Sequence, residues 1–189
     1  LIATASTAGA LVLGVSCRRP AVGGAAAVGD WVAGPFVRIG PDGGVTVTVA
    51  RAEMGQGART ALAMLVAEEL DADWSGVRVE QGDLDPRYGD QFAGGSAVIR
   101  TSWEPLRQAG ATARVMLVGA AAARWGVPAT ECETRDSRVR HPATGRSLGY
   151  GELVDVVATL PVPAEVPLKP VADYRIVGKS RKNVDHPDV

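Results

Sequence analysis

Aromatic residues make up only 5% of this 189-residue chain, and histidine occurs just twice, at His141 and His186. Phe, Tyr and Trp usually supply much of a core's buried area, so the interior has to be built from Val, Leu and Ala. Of the two cysteines, Cys17 follows an apolar leader and Cys132 lies mid-chain, and no bridge between them is expected. With no Cys-x-x-Cys pair and so few histidines, a zinc site made of protein ligands is not expected; any metal should arrive inside a cofactor. Lys and Arg (20) balance Asp and Glu (21), leaving a net charge of -1, which argues against nucleic acid as a partner. The Gly-x-Gly at 55–57 is not the Gly-x-Gly-x-x-Gly of dinucleotide folds, and no Lys-Ser/Thr pair follows it as in a P-loop. Neither Ser96 nor Ser102 sits in a Gly-x-Ser-x-Gly elbow, so neither reads as a nucleophile.

Leu1 stands where an initiator Met would be, as expected of a chain entered inside a longer reading frame. Leu1 to Ser16 carries no charge but is shorter than the roughly 20 apolar residues of a membrane-spanning helix. It reads as the apolar part of a secretory signal without its basic leader, with Ala25, Ala26 and Ala27 as the cleavage region. The competing reading is a buried N-terminal helix of the mature protein. Gly14-Val15-Ser16-Cys17 only approximates a lipoprotein box, since Gly14 replaces the usual leucine. Export without a stable membrane span is the expectation.

What the chain has in plenty is glycine (23) and proline (12). Residues 18–33 lack periodicity and read as a linker, so 1–33 is assigned to signal remnant and linker. Phe36 to Ile39 and the alternating Val45, Val47 and Val49 predict a β-hairpin around Asp42-Gly43-Gly44. Leu62, Leu65, Val66 and Leu70 share one side of a helix over 58–70, with Glu68 and Asp71 toward solvent. Val77 and Val79 begin another strand, followed by a patternless segment from Gly82 to Arg100. A second helix is expected over Glu104 to Trp125, capped by Thr101 or Ser102 and ended by Gly126. Its inward stripe of Ala109, Ala113, Leu117, Ala120 and Ala121 is small, which predicts close approach to a neighbour. Two short strands, Arg138 to His141 and Arg146 to Tyr150, flank a turn, and a short helix covers Gly151 to Thr159. The order predicts an α+β layered domain over 34–160, with 161–189 as an extended connector to a further domain.

Two glycine loops lead directly into helices: Glu53-Met54-Gly55-Gln56-Gly57 and Gly94-Gly95-Ser96, the latter followed by Arg100. Helix starts carry unpaired amides and partial positive charge that attract anions, and glycine admits a bulky ligand close to the backbone. The Gln56 amide can donate and accept at once, and Arg100 can fork onto a phosphate. Each loop alone is equally compatible with a tight turn. Glu53, Glu68, Glu69, Asp83 and Asp85 read as solvated or capping carboxylates, Ser180-Arg181-Lys182 as a solvated run, and Trp103 and Trp125 as core.

In combination, Arg51-Ala52-Glu53-Met54-Gly55-Gln56-Gly57, Met64 to Asp71, Gly94-Gly95-Ser96 and Arg100 to Arg107 resemble the xanthine dehydrogenase/aldehyde oxidase family. The resemblance is strongest to its isoquinoline 1-oxidoreductase beta-subunit branch, often exported by a twin-arginine leader. It implies a large subunit that binds molybdopterin cytosine dinucleotide and oxidises N-heterocycles or aldehydes with oxygen from water. It also implies an iron–sulfur small subunit carrying 2Fe-2S clusters, in exported members often a cytochrome acceptor, and a periplasmic location. Gly55, Gln56 and Gly57 match the family's cofactor loop, with the glutamine beside the molybdenum; Gly94, Gly95, Ser96 and Arg100 match a second cofactor-contacting loop. Ala97 departs from the Thr or Ser of many relatives. The family's catalytic glutamate, in a Gly-Val-Gly-Glu context, has no counterpart here, so no catalytic residue is assigned and the fragment alone is expected to be inactive. The alternatives are a non-catalytic exported binding or assembly module of the same fold, and an unrelated α+β domain holding another phosphate ligand.

Overall fold

The computed structural model describes residues 29–185. The leader Leu1 to Ser16, Cys17, the cleavage region at Ala25 to Ala27 and His186 lie outside the described residues. Four strands form the main sheet: β1 (Trp31–Ala33), β2 (Val37–Ile39), β3 (Val45–Val49) and β4 (Val77–Gln81), in that spatial order. β1–β2 and β2–β3 are antiparallel hairpins, whereas β3 and β4 run parallel from Val45 opposite Val77 to Val49 opposite Gln81. A parallel pair needs a crossover, supplied here by helix α1 (Ala58–Leu70). The strand at Trp31–Ala33 corrects the reading of 18–33 as linker. Its signal is short, and it forms because Trp31 is buried in the core.

The bounds of α1 are those the periodicity predicts, but its surroundings are not. Glu68, Glu69 and Asp71 are buried, at 1%, 0% and 9% exposure, not turned to solvent. Helix α1 lies among the sheet, helix α2 and the chain after Leu160, which leaves it no solvent face in its last turn.

Helix α2 (Val98–Trp125) starts six residues before the expected Glu104 and accommodates Pro105 inside. Neither Thr101 nor Ser102 caps it: Thr101 lies a turn inside, donating from its hydroxyl to the Ala97 carbonyl at 3.0 Å, and Ser102 is buried. Gly126 ends it in the left-handed conformation. The close approach to α1 centres on Gly110, where an added Cβ would lie 2.9 Å from Glu69 Cβ and nearer still to the Val66 carbonyl oxygen.

Strands β5 (Glu133–Arg135), β6 (Arg138–His141) and β7 (Arg146–Gly149) form a second antiparallel sheet, of which β5 was not expected. Tyr150 joins it to α1 by donating from its buried hydroxyl to the Leu70 carbonyl at 2.6 Å. The short α3 (Val154–Val157) follows. The chain beyond Leu160 does not extend away over its described part: it folds back along α1, burying Lys169 and Ile176. The result is the expected α+β domain of small sheets packed on two main helices.

Candidate cofactor site

The first glycine loop leaves the buried end of β3 at Ala50 and Arg51. Gly55 and Gly57 adopt φ of 93° and 78°, a region closed to most L-residues, and a Cβ at either would meet only open space. Backbone conformation therefore demands glycine here, and the space beside it stays free for a ligand.

The loop is held from within by Glu53. Its carboxylate accepts from the amides of Gly55 (2.7 Å), Gly57 (2.9 Å) and Arg59 (2.9 Å). The Arg59 amide, with those of Gly57, Gly55 and Met54, holds the carboxyl below the usual range. This corrects the expectation that the start of α1 offers its amides to an anion, because Glu53 already fills that place. Gln56 is exposed and closes on its own loop, accepting from the Met54 amide at 2.6 Å and donating to the Ala52 carbonyl at 3.0 Å. One N–H of its amide remains for a ligand.

The second loop keeps its donors open. The amides of Val98, Ile99 and Arg100, in the first turn of α2, take no partner among the described residues; the first helical bond runs from Thr101 N to Ala97 O. Arg100 is exposed and its guanidinium has no ion pair there. Gly95 (φ 59°) and Ser96 (φ 54°) turn the chain into the helix, both exposed. Open amides, partial helix charge and a free guanidinium form a donor set suited to a phosphate.

Two residues that sequence reasoning did not single out bring the loops to the same end of β3. Arg51, buried, donates from Nη1 to Asp90 (3.0 Å) and to the Phe92 carbonyl, and from Nη2 to Thr101 Oγ1 (3.1 Å). Gln91 donates to the Ala50 carbonyl at 3.1 Å and the Asp83 carbonyl at 2.8 Å. A charged residue two positions past a strand of alternating valines was the available signal for Arg51; Gln91 carried none. Apolar side chains stand exposed on both loops, with Met54 at 70% and Phe92 at 73%. The region therefore combines glycine turns, open anion donors and uncovered apolar surface, which fits a large anionic cofactor.

The molybdopterin cofactor-binding domain model matches residues 7–188. The chain belongs to that family. Among curated relatives, it is 48% identical over 139 residues to isoquinoline 1-oxidoreductase subunit beta of Brevundimonas diminuta, covering 70% of this chain and 17% of that protein. It is 38% identical over 155 residues to a membrane-bound aldehyde dehydrogenase (pyrroloquinoline-quinone) of Gluconacetobacter polyoxogenes, covering 79% of this chain and 20% of that one. The chain thus spans about a fifth or less of the curated relatives it matches. Quinoline 2-oxidoreductase from Pseudomonas putida 86 shares the fold, with a TM-score of 0.51 at 23% identity over 69% of this chain and 17% of that one. The membership agrees with the resemblance carried by the four motifs. Among the described residues of this chain, no group of three or more His, Cys, Asp or Glu could hold a metal ion. No described helix is long and apolar enough to cross a membrane.

Proposed function

We propose that this chain is part of an exported molybdenum hydroxylase large subunit and holds molybdopterin cytosine dinucleotide between its two glycine loops. The observation that carries the reading is the attachment of both loops to one end of β3 by Arg51 and Gln91, with open amides and an unpaired Arg100 on the second. Bound there, the molybdenum cofactor supplies two-electron oxidation of an N-heterocycle or aldehyde with oxygen from water. This chain's residues bind and orient it: Gln56 through its spare N–H, Gly55 and Gly57 by leaving the approach clear, and Gly94, Gly95, Ser96, the α2 amides and Arg100 at a phosphate. The exposed Met54 and Phe92 support a site completed by further protein. An iron–sulfur small subunit with 2Fe-2S clusters, and a cytochrome beyond it, would carry electrons away in the periplasm after twin-arginine export. The chain by itself does not turn over substrate.

The test is the molybdenum, pterin and cytosine-nucleotide content of the full-length product. Stoichiometric metal and pterin with released cytosine nucleotide is the expected result, and a product free of both would favour the non-catalytic binding module instead. In the full-length enzyme Gln56→Ala should lower turnover by about tenfold or more, from the loss of one ligand hydrogen bond to a charged group. Unchanged turnover at equal molybdenum content removes Gln56 from the site.

A further inference from the structure

We infer that Arg51 is a positioning residue that couples the two glycine-bearing loops into one clamp; its functional weight rests on the cofactor reading above. Arg51 leaves β3 toward an open site, yet its side chain is only 8% exposed. All three of its side-chain partners lie on the other loop or the helix behind it: the Asp90 carboxylate, the Phe92 carbonyl and the Thr101 hydroxyl. Gln91, between the first two, reaches the opposite way to Ala50, and its Oε1 accepts from the Asp85 amide at 2.9 Å. Each loop therefore takes side-chain hydrogen bonds from the other.

The coupling extends to the cofactor residues on both sides. Ala52, next in the chain to Arg51, supplies the carbonyl on which Gln56 closes, so a shift of Arg51 moves the anchor of Gln56. Thr101 directly follows Arg100, so the same guanidinium fixes the turn whose amides stand open. A planar guanidinium holds Asp90 and Phe92 with one nitrogen while the other holds Thr101; an ammonium, a single point charge, cannot span both sides.

Hydrogen exchange of the full-length product, compared with its Arg51→Met, Arg51→Lys and Thr101→Val variants, tests the coupling. In Arg51→Met, the bonded amides of Met54, Gly55 and Gly57 on one loop and of Phe92, Ala97 and Thr101 on the other should exchange about tenfold faster together, as follows from losing hydrogen bonds to a charged group, while 106–122 stay protected. Arg51→Lys should not restore protection. Thr101→Val removes one arm and leaves β3 untouched, so it keeps the test intact if Arg51→Met unfolds; it should loosen both loops to a smaller degree. Acceleration confined to one loop, or spread evenly through α2, overturns the coupling. Bound pterin, read by fluorescence after oxidation, should fall several-fold in both Arg51 variants, and wild-type retention with both loops loosened overturns the positioning role. A full-length wild-type product that holds no pterin yet shows the paired exchange pattern sinks the cofactor reading and leaves the coupling standing.

Discussion

Glu53 caps its own loop so completely that the negative charge expected from a ligand at the start of α1 comes from the protein. Three amides converge on that carboxylate, and Glu53→Ala leaves them without a partner other than water. The loss should be about 1 kcal/mol at neutral pH, the size of a helix-cap deletion, measured as a shift in the urea midpoint. Because the folded carboxyl titrates below its ordinary value of 4.5, the cap contributes fully above that value and fades as pH falls through the lower one. Wild type and variant should therefore converge in acid; a gap that persists when the carboxyl is protonated assigns the loss to something other than the charge. At this scale the candidate site was legible in part. Gly55, Gln56, Gly57 and the Gly94-Gly95-Ser96 turn stand out as types in a pattern. What each polar side chain touches is decided by partners dozens of residues away, as Arg51 with Thr101 and Gln91 with Ala50 illustrate.

Helices α1 and α2 differ in how far local pattern determines them. The limits of α1 follow from a glycine turn before it and a clean apolar repeat within it, and the structure keeps them. The start of α2 lies before the expected Glu104 because Thr101 and Glu104 imitate a capping box. In the structure they lie within a helix already under way, whose first amides face the candidate site. The small stripe on α2 did foretell contact, and Gly110 is where it is tightest. Gly110→Ala places a methyl 2.9 Å from Glu69 Cβ and against the Val66 backbone, which cannot yield as a flexible side chain would. The helices must part, at a cost of about 1–3 kcal/mol, seen as a lower urea midpoint with an unchanged slope. An equal or higher midpoint would mean that α1 and α2 separate freely along this seam.

Over the whole molecule, the chain after Leu160 is what makes the last turn of α1 tenable. Glu68 accepts from the amides of Arg175, Ile176 and Val177, Glu69 from Lys169 N and the guanidinium of Arg107, and Lys169 Nζ bridges Glu68 and Asp71 at 3.0 and 2.6 Å. No local rule places carboxylates inward at 68 and 69, because the groups that satisfy them lie between 38 and 109 residues on; that is why they read as solvated. Burial pushes the Glu68 carboxyl up, but the Ile176 and Val177 amides and the Lys169 ammonium outweigh it and hold it below the ordinary 4.5. Docking of this segment is thus fully supported above that value and weakens as pH falls through the lowered one. Lys169→Met removes the cation between two buried carboxylates, leaving Glu68 its three amides and Asp71 the Thr134 hydroxyl, a loss of about 3–5 kcal/mol at neutral pH. It also returns the Glu68 carboxyl toward its ordinary range, so acid should release the segment at a higher pH than in wild type. Proteolysis of residues 161–185 across an acid series measures both effects: greater cleavage at neutral pH and an earlier onset on acidification. If both proteins release the segment at the same pH, the three backbone amides hold Glu68 by themselves and the lysine is incidental to the docking.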